Sequence, residues 1–144
     1  MGGKILMEKI VLKGRGTIGG CAEGEAIVTR DAISGWGGIN CMTGEVTEPR
    51  HELFKKSFSG KVLVFPGAKG SSGWSIHFHY CRLLKTAPVA IVYTTTTAKI
   101  ASGLVVMRVP AVTALDKDPL EIIETGDWVK VDGDKGIVEI TKKK

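Results

Sequence analysis

The sequence predicts an α/β fold, in which a mixed sheet contains one βαβ unit and a second sheet of hairpins packs on it. Two continuous apolar runs, Val62–Phe65 and Val89–Tyr93, flank a segment with helical spacing, which is typical of parallel strands joined by a helix. Residues 126–140 alternate like two strands joined around Asp132-Gly133. Strands outnumber helices in the 144 residues, and we expect a single domain over 1–144.

The first third of the chain is expected to supply two strands and a long loop. Glu8–Leu12 and Glu25–Thr29 have strand character, and glycines lie between them. Residues 31–44 crowd glycines around Trp36 with little periodicity. A loop of that length inside a compact domain is often a binding surface, although a plain connection is also consistent with the pattern.

The middle of the chain predicts one clear helix over residues 75–85, which Pro88 ends. One apolar face of this helix repeats every three or four residues, at Trp74, Phe78, Cys81 and Leu84.

Four short elements are expected between this unit and the final hairpin. After the threonine run 94–97 we predict a helical turn to Ser102, and then a short strand at Leu104–Met107. A further strand is predicted at Ala111–Thr113, and a one-turn helix at 118–121.

Composition and charge exclude several classes of protein. Hydrophobic residues make up 43% and charged residues 24%, and three of the five net positive charges lie in a basic tail, 139–144, expected to be solvated. The sequence has no stripe of Lys and Arg residues with interleaved aromatic residues, which is the pattern that would predict nucleic-acid binding. No apolar run approaches the ~20 residues of a membrane span.

The three cysteines do not have the spacing of a metal site. Cys21, Cys41 and Cys81 lie too far apart for a Cys-x-x-Cys pair and are odd in number. We interpret them as reduced thiols in a cytoplasmic protein.

The candidate site is the loop between the apolar run that ends at Phe65 and the predicted helix. In a strand, loop and helix unit, the loop amides and the helix dipole favour negative charge at one spot. Lys69, Ser71 and Ser72 lie there. Such a site binds a phosphate or carboxylate, or stabilises a serine alkoxide that acts as base or nucleophile. The alternative is that Ser71 or Ser72 only caps the helix.

Other polar residues give weaker signals. His77 and His79 are two residues apart, so on a helix they do not share a face and do not predict a metal site. His51 either lines a site or, as the favoured interpretation, faces solvent. Lys69 either pairs with an anionic substrate or is an ordinary exposed lysine. No carboxylate pair, serine triad or complete metal site can be assembled, so any catalysis needs residues from elsewhere.

Several motifs together carry a resemblance to a known family. They are Gly35–Gly38 with Thr43-Gly44, His51, Gly60–Gly67, Gly70–Ser72, and Gly126–Gly133 with Gly136. In this order and spacing the chain resembles, over nearly its whole length, the small subunits of archaeal phosphomevalonate dehydratases, within the aconitase X group. The resemblance implies a swivelling β/β/α domain with a parallel-containing central sheet and a second, mostly antiparallel sheet. It also implies a heterodimer with a large subunit, whose own cysteines hold a [4Fe-4S] cluster.

The resemblance further implies an activity. Enzymes of this family dehydrate (R)-5-phosphomevalonate to trans-anhydromevalonate 5-phosphate in the archaeal mevalonate route to isoprenoids. The family's catalytic serine, a base opposite the partner's cluster iron, falls on Ser71, although this chain has Gly-Ser-Ser-Gly-Trp-Ser where Gly-Ser-Cys-Ser-Gly-Ser is common. The expected substrate-binding residues are Lys69, Gly70, Ser72, Gly37, Gly38 and His51. The small subunit alone is expected to be inactive.

Three alternatives remain open at this point. One is an aconitase X-type subunit that dehydrates cis-3-hydroxy-L-proline. Another is a swivelling phosphotransfer domain with a phosphohistidine, to which His77 between Ile76 and Phe78 is a poor match. The last is a scaffold without a catalytic residue, in which replacing Ser71 leaves the partner's activity unchanged.

Overall fold

The structure, a computed structural model, describes residues 9–35, 37–69 and 74–143. Its elements, numbered in chain order, are β1 (Lys9–Lys13), β2 (Arg15–Ile18), β3 (Cys21–Val28), β4 (Ile33–Ser34), β5 (Ile39–Asn40), β6 (Glu45–Val46), β7 (Val62–Phe65), β8 (Ala68–Lys69), α1 (Trp74–Leu83), β9 (Ala90–Tyr93), α2 (Ala98–Met107), β10 (Ala111–Thr113), α3 (Pro119–Ile122), β11 (Trp128–Asp132) and β12 (Ile137–Thr141).

Eight of these strands form one continuous sheet in the order β1-β12-β11-β3-β7-β9-β10-β2. Strand β3 belongs to two halves of it. Residues 21–25 pair antiparallel with β11, whereas residues 26–28 pair parallel with β7. The parallel half continues through β9 to β10, and the antiparallel half contains β11, β12 and β1. The predicted βαβ unit is therefore confirmed as β7, α1 and β9.

The two halves of the sheet pack face to face. Their shared core is a cluster of buried aliphatic residues from both halves, among them Leu12, Ala26, Val64, Val92, Val131 and Ile140. Strands β1 and β2 are adjacent in the sequence and are separated only by Gly14. Strand β1 pairs with β12 at one edge of the sheet and β2 pairs with β10 at the other, so this short connection links the two edges. The predicted second sheet is thus confirmed, with the difference that both sheets share β3.

Helices α1 and α2 cover the other face of the parallel half. The indole of Trp74 stacks on Phe78 with ring centroids 4.2 Å apart and lies 6.5 Å from the ring of Phe65. Gly103 of α2 faces this indole so closely that a Cβ there would lie 1.9 Å from a ring carbon. The absence of a side chain at Gly103 therefore lets the two helices approach.

The strand predicted at Leu104–Met107 is wrong, because these residues form the second half of α2. The hydroxyl of Thr97 accepts a hydrogen bond from Ile100 N at 3.3 Å and caps the helix. Buried residues then recur at helical spacing, at Ile100, Gly103, Leu104 and Met107. Two adjacent valines gave the strand signal, but packing of this face on the sheet outweighs their local preference.

The solvated basic tail predicted for 139–144 is also wrong in large part. Residues 139–141 are the end of β12. Lys142 Nζ donates to Asp127 Oδ2 at 2.6 Å, and Lys143 N donates to Asp127 Oδ1 at 2.9 Å. Asp127 is completely buried, and a buried carboxylate requires such partners.

The remaining predicted elements are confirmed with small shifts of their bounds. They are β1, β3, α1, β10, α3 and the hairpin of β11 and β12. The loop predicted at 31–44 contains the two-residue strands β4 and β5. Strands β2, β6 and β8 were not predicted. None of the described helices is long and apolar enough to cross a membrane.

We expect Gly103→Ala to destabilise the fold. In an exposed helix this change stabilises by about 0.5–1 kcal/mol, but here the methyl group collides with the Trp74 indole, and overpacking typically costs about 1–3 kcal/mol. Urea unfolding of both variants measures the difference. Ser102→Ala, at the exposed neighbouring position, is the control and should not lower stability; an equally stable Gly103→Ala would contradict the close contact.

The pH dependence of the free energy of unfolding should reveal the contribution of the Asp127 carboxylate. Burial raises its pKa, but hydrogen bonds from Lys142 and the Lys143 backbone outweigh burial and hold the pKa below the usual value. The carboxylate thus stabilises the fold above its unfolded pKa, and this contribution is lost as pH falls through the folded pKa.

We therefore expect Asp127→Asn to lower the free energy of unfolding at pH 7 by about 2 kcal/mol or more. When urea unfolding is measured between about pH 7 and pH 3, the free energy of unfolding should fall less with decreasing pH for this variant than for the native chain. Glu139→Gln, which removes the carboxylate of an exposed pair with Lys9, is the matched control and should change stability little. Parallel pH profiles for native and Asp127→Asn chains would refute this role.

Candidate functional site

Two chain segments and the start of α1 meet at the carboxyl end of β7. The backbone of Ile33 joins them: its N–H donates to Gly67 O at 3.1 Å, and its carbonyl accepts from Trp74 Nε1 at 2.8 Å. Strand β4 also pairs in parallel with β8, placing Ser34 beside Lys69. One short strand therefore fixes both ends of the segment that connects Lys69 to Trp74.

A further segment, residues 46–53, is attached to the loop that follows β3. Thr47 N donates to Gly38 O at 2.8 Å. The carboxylate of Glu52 accepts from Thr29 Oγ1 at 2.7 Å and from Arg30 N at 3.0 Å. These two hydrogen bonds, that of Thr29 first, lower the pKa of Glu52 below its usual value. Glu52 is therefore an ionised structural acceptor.

His51 is buried, with 6% of its surface exposed, so the favoured prediction that it faces solvent is wrong. Leu53 N donates to Nδ1 at 3.0 Å, and Nε2 lies 3.0 Å from Ala32 O. Because Nδ1 accepts, the proton lies on Nε2, which donates to the carbonyl. Both ring nitrogens are thus occupied, and His51 holds the chain next to Ile33. This arrangement favours a positioning role over direct substrate contact.

Lys69 lies at the end of β8 and forms an ion pair with a residue that the sequence analysis missed. Its Nζ is 2.8 Å from Glu48 Oε2, and both side chains are partly exposed. The two residues are 21 positions apart, and no local pattern marks such a pair. Lys69 therefore presents a partly exposed cation that is paired with Glu48, and its predicted contact with substrate stays a prediction.

Gly37 and Gly38 form a tight turn in the loop after β4. Gly37 has a φ of 72°, in the left-handed region that favours glycine, and its carbonyl accepts from Thr47 Oγ1 at 3.2 Å. A Cβ on Gly38 would lie 2.2 Å from Ser34 O. These glycines allow the turn to close on Ser34, which lies beside Lys69. Their predicted contact with substrate stays a prediction.

Ser71, Gly70 and Ser72 lie outside the described residues, so their predicted roles stay predictions. What the structure describes are the flanking residues, Lys69 and Trp74, and the hydrogen bonds that hold them.

A threonine run, residues 94–97, lies at the same edge of the sheet, which the sequence did not predict. Thr94 N and Thr95 N donate to Pro66 O at 3.3 and 2.8 Å, and residues 94–97 are all exposed. Thr97 caps α2, so α2 begins at the edge where α1 begins. Two helix N-termini favour negative charge there. The signal in the sequence was the threonine before apolar residues at helical spacing.

The cysteines do not fit an iron–sulfur site in this chain. Clusters need three or four thiolates at one place. Cys81 is buried, and burial, with a smaller effect of neighbouring Cys41, raises its pKa to about 12. Cys21 is exposed at the start of β3, the end remote from the candidate site.

Two other groups of described residues contain side chains of the types that bind metals. Possible ligand atoms of Cys21, Asp132 and Asp134 lie within 4.8 Å of one another, but they are at the exposed hairpin turn, where Asp132 accepts from two backbone N–H groups. His77 and His79 are both half-buried, and His79 Nδ1 has no hydrogen-bond partner among the described residues.

Comparison with known proteins gives concordant matches. The family model for the aconitase X swivel domain matches residues 11–140. The phosphomevalonate dehydratase small subunit of Methanosarcina acetivorans is 43% identical over 138 residues, 96% of each chain, and that of Methanosarcina mazei is 42% identical over 137 residues, 95% of each chain. The crystal structure of Thermococcus kodakaraensis aconitase X in its holo form matches with a TM-score of 0.86 and 38% identity, over 92% of this chain and 99% of that one.

We expect His51→Phe to lower the free energy of unfolding by about 2–4 kcal/mol, because it leaves Ala32 O and Leu53 N without their partner. Chemical denaturation measures this loss. Arg50→Ala, at the exposed adjacent position, is the control and should stay within about 0.5 kcal/mol of the native chain. Unchanged stability of His51→Phe would return His51 to the list of candidate substrate ligands.

Proposed function

The chain belongs to the aconitase X swivel-domain family, and from this we propose that it is the small subunit of a two-subunit hydro-lyase that dehydrates (R)-5-phosphomevalonate. The observation that carries the proposal is its near full-length similarity to phosphomevalonate dehydratase small subunits, with 96% of each chain covered. The parallel-stranded half with two helix N-termini at one edge supports it, since the substrate carries two anionic groups.

The proposed reaction removes one molecule of water. A proton leaves the carbon α to the carboxylate, the hydroxyl group leaves the next carbon, and trans-anhydromevalonate 5-phosphate results. We assign the proton to Ser71, in the segment between Lys69 and Trp74. A serine hydroxyl is a very weak acid, so its alkoxide requires stabilisation by nearby N–H groups and a cation.

Lys69 is the cationic residue that directly precedes this segment in the chain. Its pair with Glu48 is partly exposed, and exposed ion pairs contribute only about 0–1 kcal/mol, so exchange of Glu48 for a substrate anion costs little. Glu48 would then hold the ammonium group in place before substrate arrives. Gly37 and Gly38 bring the neighbouring backbone close to the same place.

The remainder of the active site is assigned to the partner. The three thiols of this chain are unsuited to a cluster, so we place the [4Fe-4S] cluster on the large subunit of a heterodimer. Free thiols are consistent with a cytoplasmic location for the complex. With base and cluster on different chains, the small subunit alone is inactive.

Replacement of Ser71 tests the proposal directly. In a complex co-expressed with the aconitase X-type large subunit of the same organism under anaerobic conditions, Ser71→Ala should lower the rate of (R)-5-phosphomevalonate consumption by about 10²–10⁴-fold, because the base is lost. Complex formation and cluster absorbance should remain as in the native complex.

Ser102→Ala, which removes the hydroxyl of an exposed serine on α2, is the matched control and should retain the native rate. Turnover that survives Ser71→Ala would leave this serine a helix cap and move the base to the partner. Faster turnover of cis-3-hydroxy-L-proline than of (R)-5-phosphomevalonate would replace the proposed substrate.

A further inference from the structure

Helix α1 is apolar on two opposite faces. Trp74, Phe78 and Cys81 face the core and are buried. On the opposite side a second apolar stripe is exposed, formed by Ile76 (56%), Tyr80 (51%) and Leu83 (59%). Leu84 (51%) continues it just past the end of α1, so its predicted place on the core-facing side of the helix is wrong. Its residues recur at i, i+4, i+7 and i+8, the spacing of a face that packs against another surface. A helix apolar on both sides is expected to be covered on both sides.

A groove beside this stripe has room for an incoming side chain. It encloses about 210 Å³ between α1 and α2. The lining residues are Ser75, Ile76, His79, Tyr80 and Val106. The surface is mostly apolar, with a few polar groups at its margin, as in the core of a protein interface.

We propose that the outer face of α1, from Ile76 to Leu84, with its groove to α2, is the docking surface for the large subunit. The inference rests on the proposed function, which requires a partner opposite the segment 70–73. Because α1 begins immediately after that segment, a partner that closes the site also approaches the first turn of α1. The stripe continues from that turn for roughly 12 Å along the helix.

The size of the stripe suits a subunit interface. Its four side chains expose on the order of 400 Å² of apolar surface, comparable with the largest patch on a typical monomer, and such patches commonly mark binding sites. About 800 Å² per partner is usual for a stable complex, so the stripe would form the centre of the interface. Arg82 and Lys85, which adjoin Leu83 and Leu84 in the sequence, carry positive charge that favours acidic groups on the partner's surface.

The test measures association separately from catalysis. Tyr80→Glu and Leu83→Glu are titrated against the purified large subunit by calorimetry, and each should weaken binding by about tenfold or more, because a carboxylate must be desolvated in the interface. Val11→Glu, a similarly exposed position on β1 in the other half of the sheet, is the matched control and should stay within about twofold. Thermal unfolding of each isolated variant checks that the fold is intact.

Each outcome decides one question. Near-native affinity of both folded variants would overturn the docking surface, even if the complex dehydrates phosphomevalonate. If the variants bind the large subunit more weakly but the native complex does not dehydrate this substrate, the docking surface would be supported and the proposed activity refuted. If sedimentation shows a dimer of the isolated chain that Tyr80→Glu dissociates, with no loss of large-subunit binding, the face belongs to a second copy. If one variant fails to fold, Leu83→Ser replaces it.

Discussion

The contacts of the Trp74 indole hold together the parts of the molecule that matter for function. The ring stacks on Phe78, lies against Gly103 of α2, and donates its N–H to the Ile33 carbonyl. One side chain thus fixes the start of α1, its distance to α2 and the loop after β3. Buried aromatic residues of this size typically stabilise a fold by about 3–5 kcal/mol, and here that energy also positions the residues flanking the candidate base.

The bent strand β3 provides the second constraint. The first part of β3 pairs with β11 and its last part pairs with β7. The two halves of the sheet are therefore joined both by the backbone of β3 and by hydrogen bonds to it. The antiparallel half can then fold over one face of the parallel half, leaving the other face to the helices. The carboxyl ends of β7 and β9 lead into Pro66 and the threonine run, next to the candidate site. Ligand sites in α/β proteins commonly occupy this edge.

The same arrangement explains why such a chain acts with a partner. Lys69, the glycine turn and the threonine run lie beyond the carboxyl ends of the parallel strands β7 and β9. Among the described residues, no complete set of catalytic groups accompanies them. The proposed base on this chain requires a second protein that carries the rest of the active site, and the apolar outer face of α1 is the surface that we propose binds it.

The sequence by itself determined the βαβ unit, helix α1, the final hairpin and the family, because each depends on residues close together in the chain or on motifs in a fixed order. Only the tertiary structure decided the burial of His51, the pairing of Lys69 with Glu48 and the neutralisation of Asp127 by the tail. Local preference also gave the wrong answer for Leu104–Met107, where packing on the sheet selected a helix. In each case the partners lie many residues away, and free energies of burial and hydrogen bonding between distant groups leave no periodic trace in the sequence.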